Sequence, residues 1–238
     1  MQRRCNSAIQ EIDCTSESIS RQAMKHPVFT IGYSRRPREN FLLLLLRHGV
    51  DALVDVRSRP YSRFRPEFST GPLAAACAAA GIAYRFLGDA LGGRPKNPSC
   101  YHDGKLSYAR VAVEPFFRQG LAELATAAAD TTLALMCAEA DPVDCHRAIL
   151  VARHLKPYAL DIRHIGADDN AETLAEFEQR LVTMTGTTPA PLLDSPEEWH
   201  RAIDEAYDLR GAEMTRGTGE RCYPPRAMKS GLRKPGLP

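Results

Sequence analysis

The chain of 238 residues is long enough for one domain with a sizeable core plus appendages, and short for two full domains. With 44% hydrophobic and 25% charged residues it has a globular composition, which excludes wholesale disorder and collagen-like or coiled-coil fibres. Thirty-one basic against 29 acidic side chains leave a formal charge of +2, so any binding of nucleic acid requires a local basic patch rather than bulk charge.

Residues 1–26 are polar and weakly patterned and read as an N-terminal extension without a signal-peptide core. Val28 to Ile31 form a short apolar, β-prone run that stops at Gly32. Pro37 then opens a helix with the body FLLLLL, a run far short of the roughly 20 residues that a bilayer requires, and Gly49 ends it. No membrane association is expected. Ala52 to Val56 read as a buried strand, Leu73 to Ala80 as a helix stopped by Gly81, and Ile82 to Leu87 as a further strand. A long Gly- and Pro-rich insertion, LGDALGGRPKNPSCYHDGKLSY, carries Arg94, Lys96, Tyr101, His102 and Lys105 and has the length of a lid or surface Ω-loop. Val111 to Ala129 predict one long helix, Thr131 to Cys137 a third apolar strand, Asp161 to Ile165 a last strand, and Glu172 to Met184 a helix.

This alternation predicts a three-layer, Rossmann-like α/β domain over residues 27–186, with a mostly parallel sheet flanked by helices. Residues 187–210 read as a Pro-rich linker and a C-terminal helical appendage, and residues 211–238 as a basic tail expected to be disordered. Seven cysteines, an odd number without framework spacing, fit a reduced environment, and a cytoplasmic location is expected.

Three polar segments follow apolar strands directly: GYSRR, RSRPYSRFRPEF and AEADPVDCHR. Ligands of open parallel sheets bind beyond the carboxyl ends of strands, so these segments are expected to share a crevice. It would hold Tyr33, Ser34, Arg35, Asp55, Arg57, Ser58, Arg59, Arg63, Glu139, Asp141, Cys145, His146 and Arg147. Forked guanidinium groups at such density suit phosphate or carboxylate oxygens. Arg57 and Arg59 alternate with Ser58 and share one side if the chain stays extended, with Asp55 placed to orient them or to act as a base. In DPVDCHR, Asp141 as N-cap and Pro142 at the first position start a helix with Cys145 and His146 in its early turns. There the helix dipole favours an anion and lowers a thiol pKa, although a small buried cysteine and a structural histidine explain the same residues. Cys137, Cys145 and His146 with Glu139 nearby have the chemistry of metal ligands, but the Cys-x7-Cys-His spacing matches neither a zinc knuckle nor a ribbon, and no metal ligands are assigned from it.

The segments TIGYSRR, LVDVRSRPYSRFRPEF, GIAYRFLGDALGG and LMCAEADPVDCHRAILVARHL, in this order and spacing, resemble the motifs of the bacterial and archaeal family known as domain of unknown function 488. The resemblance covers about residues 28–165 and includes a Cys-x-Glu-x-x-Pro-x-x-Cys-His-Arg signature, here Cys137, Glu139, Pro142, Cys145, His146 and Arg147. Tyr33 stands where members often have His or another polar residue, and it cannot take up a proton near neutrality. The resemblance implies a compact α/β domain with its motifs gathered at one site and implies no established reaction.

The residues themselves lead to an enzyme, of hydrolase or transferase type, or a ligand-processing protein acting on a phosphate-bearing nucleotide or a nucleic-acid end. Arg57, Arg59 and Arg147 would grip the phosphate, Tyr33, Ser34, Arg35, Asp55, Ser58 and Asp141 would line the crevice, and His146, Glu139 and Cys145 would be the catalytic groups. On this reading alanine at Arg57 removes ligand binding and spares the fold. Two alternatives stand beside it: a non-catalytic nucleic-acid-binding module, and a thiol-redox or metal-binding protein using Cys137, Cys145 and His146. An anionic small molecule or nucleic acid is the expected partner; neither a cofactor nor an oligomeric state follows from the sequence.

Overall fold

The computed structural model describes residues 26–188 and 195–216. Its main sheet has six strands in the order β3-β2-β6-β1-β7-β8, with β1 Val28–Gly32, β2 Ala52–Asp55, β3 Ala83–Phe86, β6 Leu133–Cys137, β7 Ile162–Ile165 and β8 Ala171–Thr173. All neighbours pair in parallel except β8, which runs antiparallel on the β7 edge. β1 and β6 are buried along their whole length, as central strands covered on both faces must be. The alternation of side chains then divides the core. Val28, Val54, Leu133 and Leu135 face one layer of helices, while Phe29, Ile31, Leu53, Ala134 and Met136 face the other.

The second face is covered by α1 Arg38–Arg47 and α2 Thr70–Ala79, through Phe41, Leu44, Leu45, Leu73 and Cys77. The first is covered by α3 Gly88–Leu91, α4 Tyr108–Val113, α5 Pro115–Ala127 and α6, a π-helical stretch Arg147–Ala152 continued by an α-helical turn Arg153–Leu155. The one long helix expected over Val111 to Ala129 is two helices. Proline restrains the residue before it, so Glu114 is extended (φ −69°, ψ 138°) and Pro115 starts a new helix.

α7 Leu174–Thr185 and α8 Pro196–Thr215 pack together through Phe177, Leu181, Ala202, Ala206 and Tyr207, and they meet α6 at Ile149. Each starts with a reciprocal cap, Thr173 with Glu176 and Ser195 with Glu198. α8 is the C-terminal helix expected from the sequence, and it continues beyond Gly211, where the basic tail was expected to begin. The expected N-terminal extension, apart from His26, and the tail after Arg216 lie outside the described residues.

The Gly- and Pro-rich insertion is built rather than open. It holds α3, a 3-10 turn Pro98–Cys100 and a two-stranded hairpin of β4 Tyr101–His102 and β5 Lys105–Leu106. The hairpin turns on Asp103 and Gly104, both with positive φ, the backbone that a two-residue Asp-Gly turn requires. Buried Cys100 and Leu106 tie the insertion to the core. No helix of the described residues is long and apolar enough to cross a membrane.

Candidate metal or thiol centre at the sheet switch point

From β1 the chain crosses to β2 with α1 on one face, and from β6 it crosses past β1 to β7 with α6 on the opposite face. The two connections diverge at the carboxyl ends of β1 and β6, which is where open α/β sheets leave a crevice. Gly32 ends β1 beside Cys137, its register partner at the end of β6. A Cβ at Gly32 would stand 1.7 Å from the Glu139 carbonyl oxygen, so only glycine lets the loop after β6 fold across this point.

Asp141 caps a 3-10 turn, Pro142–Asp144, by accepting from the Val143 N-H. That turn does not run on into the helix as the sequence suggested. Cys145 is extended (φ −132°, ψ 137°) and the helix begins after it, with the Cys145 carbonyl accepting from the Ala148 and Ile149 N-H groups. The extended residue swings the Cys145 thiol back over the end of β6. As a result Cys137, Glu139, Cys145 and His146 converge, with one donor atom from each within 4.8 Å of all the others.

Both thiols donate to one carboxylate oxygen, Glu139 Oε2, Cys137 from 3.0 Å and Cys145 from 2.9 Å. His146 Nδ1 lies 3.5 Å from Cys137 Sγ and 3.9 Å from Cys145 Sγ. Its Nε2 is 2.9 Å from the Val56 carbonyl, which can only accept, so that nitrogen carries a proton and Nδ1 is left to face the sulfurs. Gly93 lies against the other side of the ring; a Cβ there would stand 2.6 Å from His146 Cγ. Cys145 is wholly buried and Cys137 nearly so, while Glu139 reaches the surface.

Burial raises the thiol of Cys145, yet the Cys137 hydrogen bond, the Arg147 charge and His146 together bring it well below the usual thiol range. Cys137 moves the other way, raised by its hydrogen bond to Cys145 and by burial. Burial and then Cys145 raise Glu139; burial lowers His146, but its contacts with Cys145 and the Val56 carbonyl raise it by more. Cys77, pushed up to about 11, and Cys100 are raised by burial, the ordinary behaviour of packed cysteines.

The arginines divide sharply. Arg147 is wholly buried and donates to the Glu139 and Ala140 carbonyls at 2.7 and 3.2 Å and to Thr30 Oγ1 at 3.4 Å, so it ties down the loop that carries Glu139. Arg57 is turned inward. It meets Asp55 Oδ1 through Nε at 2.8 Å and Oδ2 through Nη2 at 2.5 Å, reaches the Phe68 carbonyl at 2.8 Å, and lies over the Tyr33 ring. Asp55 also accepts from the Arg57 N-H and from the Tyr84 hydroxyl, whose pKa burial and then Asp55 push up to about 12. The Arg57 guanidinium is held above its ordinary value because Asp55 outweighs burial.

Arg59, Ser34 and Arg35 are exposed at the strand ends, so Arg57 and Arg59 do not share a side. Ser58 Oγ accepts from the Arg94 N-H at 2.8 Å, and Asp141 is paired with Arg180 at 3.1 Å. Sequence reasoning passed over three residues. Arg36, buried, bonds Asp169 at 2.7 Å and the Gly32 carbonyl at 2.7 Å, joining β1 to the turn after β7. Tyr108 packs against the buried group of Val143, Ala148 and Ile149 that flanks the cluster, and burial and then Cys145, Cys137 and Glu139 raise its pKa. Gly93 carried the one readable signal, as part of the glycine pair that closes the family-like segment GIAYRFLGDALGG.

A family model described as Domain of unknown function DUF488 matches residues 37–154, from the start of α1 into α6. No curated protein and no solved structure matches the chain.

Proposed function

We propose that this chain, which belongs to the DUF488 family over residues 37–154, is a metalloprotein that binds a zinc-type divalent cation through Cys137, Cys145, His146 Nδ1 and Glu139. The observation that carries the reading is the fixed imidazole: the Val56 carbonyl holds the Nε2 proton, and Nδ1 faces two sulfurs. Metal-bound histidines are oriented in this way, by giving their second N-H to an acceptor. Tetrahedral zinc with sulfur at about 2.3 Å and nitrogen at about 2.05 Å sets the two about 3.5 Å apart. The corresponding distances here are 3.5 and 3.9 Å. The sulfurs lie 3.0 and 2.9 Å from the Glu139 carboxylate oxygen, closer than ordinary S-H···O bonds, and a cation would replace those contacts.

The electrostatics agree. Three acidic groups are crowded into a mostly buried space, and a cation that displaces their protons removes the repulsion. Two cysteines and one histidine with a solvent-facing fourth position form a donor set of zinc sites that keep an exchangeable ligand. Glu139 occupies that position and can act either as ligand or, once displaced, as a proton acceptor for an activated water. A thiol nucleophile fits less well, because Cys145 has no exposed surface and Cys137 only 4%.

Binding of a phosphate-bearing nucleotide, or of another anion, is a second reading. It keeps Ser34, Arg35 and Arg59, which are exposed at the strand ends, whereas Arg57 and Arg147 are engaged with protein oxygens.

Cobalt(II) titration tests the metal reading. The expected result is one equivalent per chain with a thiolate-to-cobalt absorption band, abolished in Cys145→Ser and displaced by zinc. A parent protein that binds cobalt without thiolate absorption, or whose band survives both Cys145→Ser and Cys137→Ser, refutes it.

A further inference from the structure

Between β2 and α2 runs the loop RSRPYSRFRPEF, which leaves the same end of the sheet as the cysteine cluster. It is a held loop. Pro60 O accepts from the Thr70 N-H and hydroxyl, each at 3.0 Å, and the Ser62 N-H donates to Ser69 Oγ at 3.1 Å. Arg65 donates to the Ser34 and Arg36 carbonyls at 3.2 and 2.6 Å and pairs with Glu67, and buried Phe68 anchors the end of the loop. Yet this tethered segment presents Phe64 at 88% and Tyr61 at 71% exposure, the two most exposed large hydrophobic side chains of the described residues. Folding gains nothing from rings held in water by a rigid support.

The charges around them are unmatched. Of the exposed arginines elsewhere, Arg85 pairs with Glu123 and Arg163 with Asp161, whereas Arg47, Arg110, Arg118, Arg201 and Arg216 have no carboxylate within 4 Å among the described residues, so what distinguishes this loop is the gathering of such arginines around two exposed rings. Among the described residues, no carboxylate lies within 4 Å of Arg35, Arg59, Arg63 or Arg94. Arg63 instead lies over the Phe64 ring, 5.9 Å from its centroid. Arg94 is fixed beside this loop through its N-H to Ser58 Oγ.

From the combination of exposed rings, unmatched arginines and a pre-set backbone we infer that the 59–64 loop is a binding platform for single-stranded nucleic acid, with bases stacked on Tyr61 and Phe64 and phosphates met by Arg35, Arg59, Arg63 and Arg94. Planar bases and a regularly spaced polyanion use both features at once. An acidic peptide would use the arginines and leave the rings idle; a second copy of this chain would meet like charge. The inference does not depend on metal at the cysteine cluster.

The test is fluorescence anisotropy of a labelled 12-nucleotide single strand with the full chain, across a salt series, beside duplex DNA of the same sequence and a poly-glutamate peptide. Tyr61, Phe64 and Arg63 are exposed, so their alanine variants keep the fold, checked by an unchanged melting temperature. The expected result is preference for the single strand and a loss of about ten-fold in affinity for Phe64→Ala and for Tyr61→Ala, with the salt slope unchanged. Arg63→Ala should reduce that slope by about 0.7. Absence of single-strand binding overturns the inference. So does equal binding of duplex or of poly-glutamate, or affinity in both aromatic variants equal to the parent. Retention of the platform in Cys145→Ser, together with loss of cobalt absorption, separates this result from that of the metal centre.

Discussion

His164 offers a direct test of how burial governs this fold. It lies on β7 with no exposed surface, its Nδ1 2.8 Å from Thr30 Oγ1, its ring 4.4 Å from that of Phe177, and its Nε2 without a partner. Burial, and then the charges of Arg147 and Arg180, lower its pKa from 6.5 to about 3. The folded state therefore keeps this histidine neutral, and the unfolded chain binds the extra proton as pH falls below 6.5. The sign follows: stability is present above that value and is lost on acidification, by about 1.4 kcal/mol per pH unit for one proton. Between pH 6.5 and about 4.5, the loss amounts to about 2.3 kcal/mol, since the unfolded histidine is already half protonated at 6.5. Urea unfolding of the parent and of His164→Asn at pH 6.5, 5.5 and 4.5 measures it as a difference in slope. His146, whose pKa is raised, contributes with opposite sign in both proteins and cancels. If the parent and the variant lose stability in parallel over that range, the neutral buried state of His164 is wrong.

Arg57→Ala leaves the wholly buried Asp55 carboxylate without its ion-pair partner, so the variant should lose about 3–5 kcal/mol of stability in urea unfolding, against less than about 0.5 for Arg59→Ala. Gly93→Ala sets a methyl group 2.6 Å from His146 Cγ and should weaken cobalt binding by about 10- to 100-fold while the thiolate absorption, once saturated, persists. Tyr207→Ala removes a wholly buried ring that joins α8 to α7 and bonds Glu178, and should cost about 3–5 kcal/mol, with earlier proteolysis within α8 as the local readout.

Much of the architecture is legible in the chain because its signals are local. Val28 to Ile31, Ala52 to Val56 and the run ending at Cys137 read as buried strands since central parallel strands carry apolar residues on both faces, and they are strands here within a residue or two. The break that Pro115 makes between α4 and α5 is missed by the single-helix reading over Val111 to Ala129, although a proline inside a helical run carries that signal. β8 is not legible, because a three-residue edge strand with Ala171 and Thr173 exposed carries no periodic signal.

The order of the main parallel strands, the strand ends where a crevice forms, and the Cys137 to Arg147 signature on which the candidate site is built can all be read along the chain. What each of those residues is free to do depends on how the fold packs them. Asp55 draws Arg57 inward while Arg59, two residues later, stays in solvent, and Arg147 is consumed by the carbonyls of the Glu139 loop. The Cys-x7-Cys-His spacing carries no metal motif because the thiols are brought together by a 3-10 turn and one extended residue rather than by a knuckle. The imidazole is oriented by Val56, 90 positions away in the chain. Backbone conformation follows from near neighbours, whereas burial, ion pairing and the protonation of a side chain follow from whatever distant segment the fold lays against it.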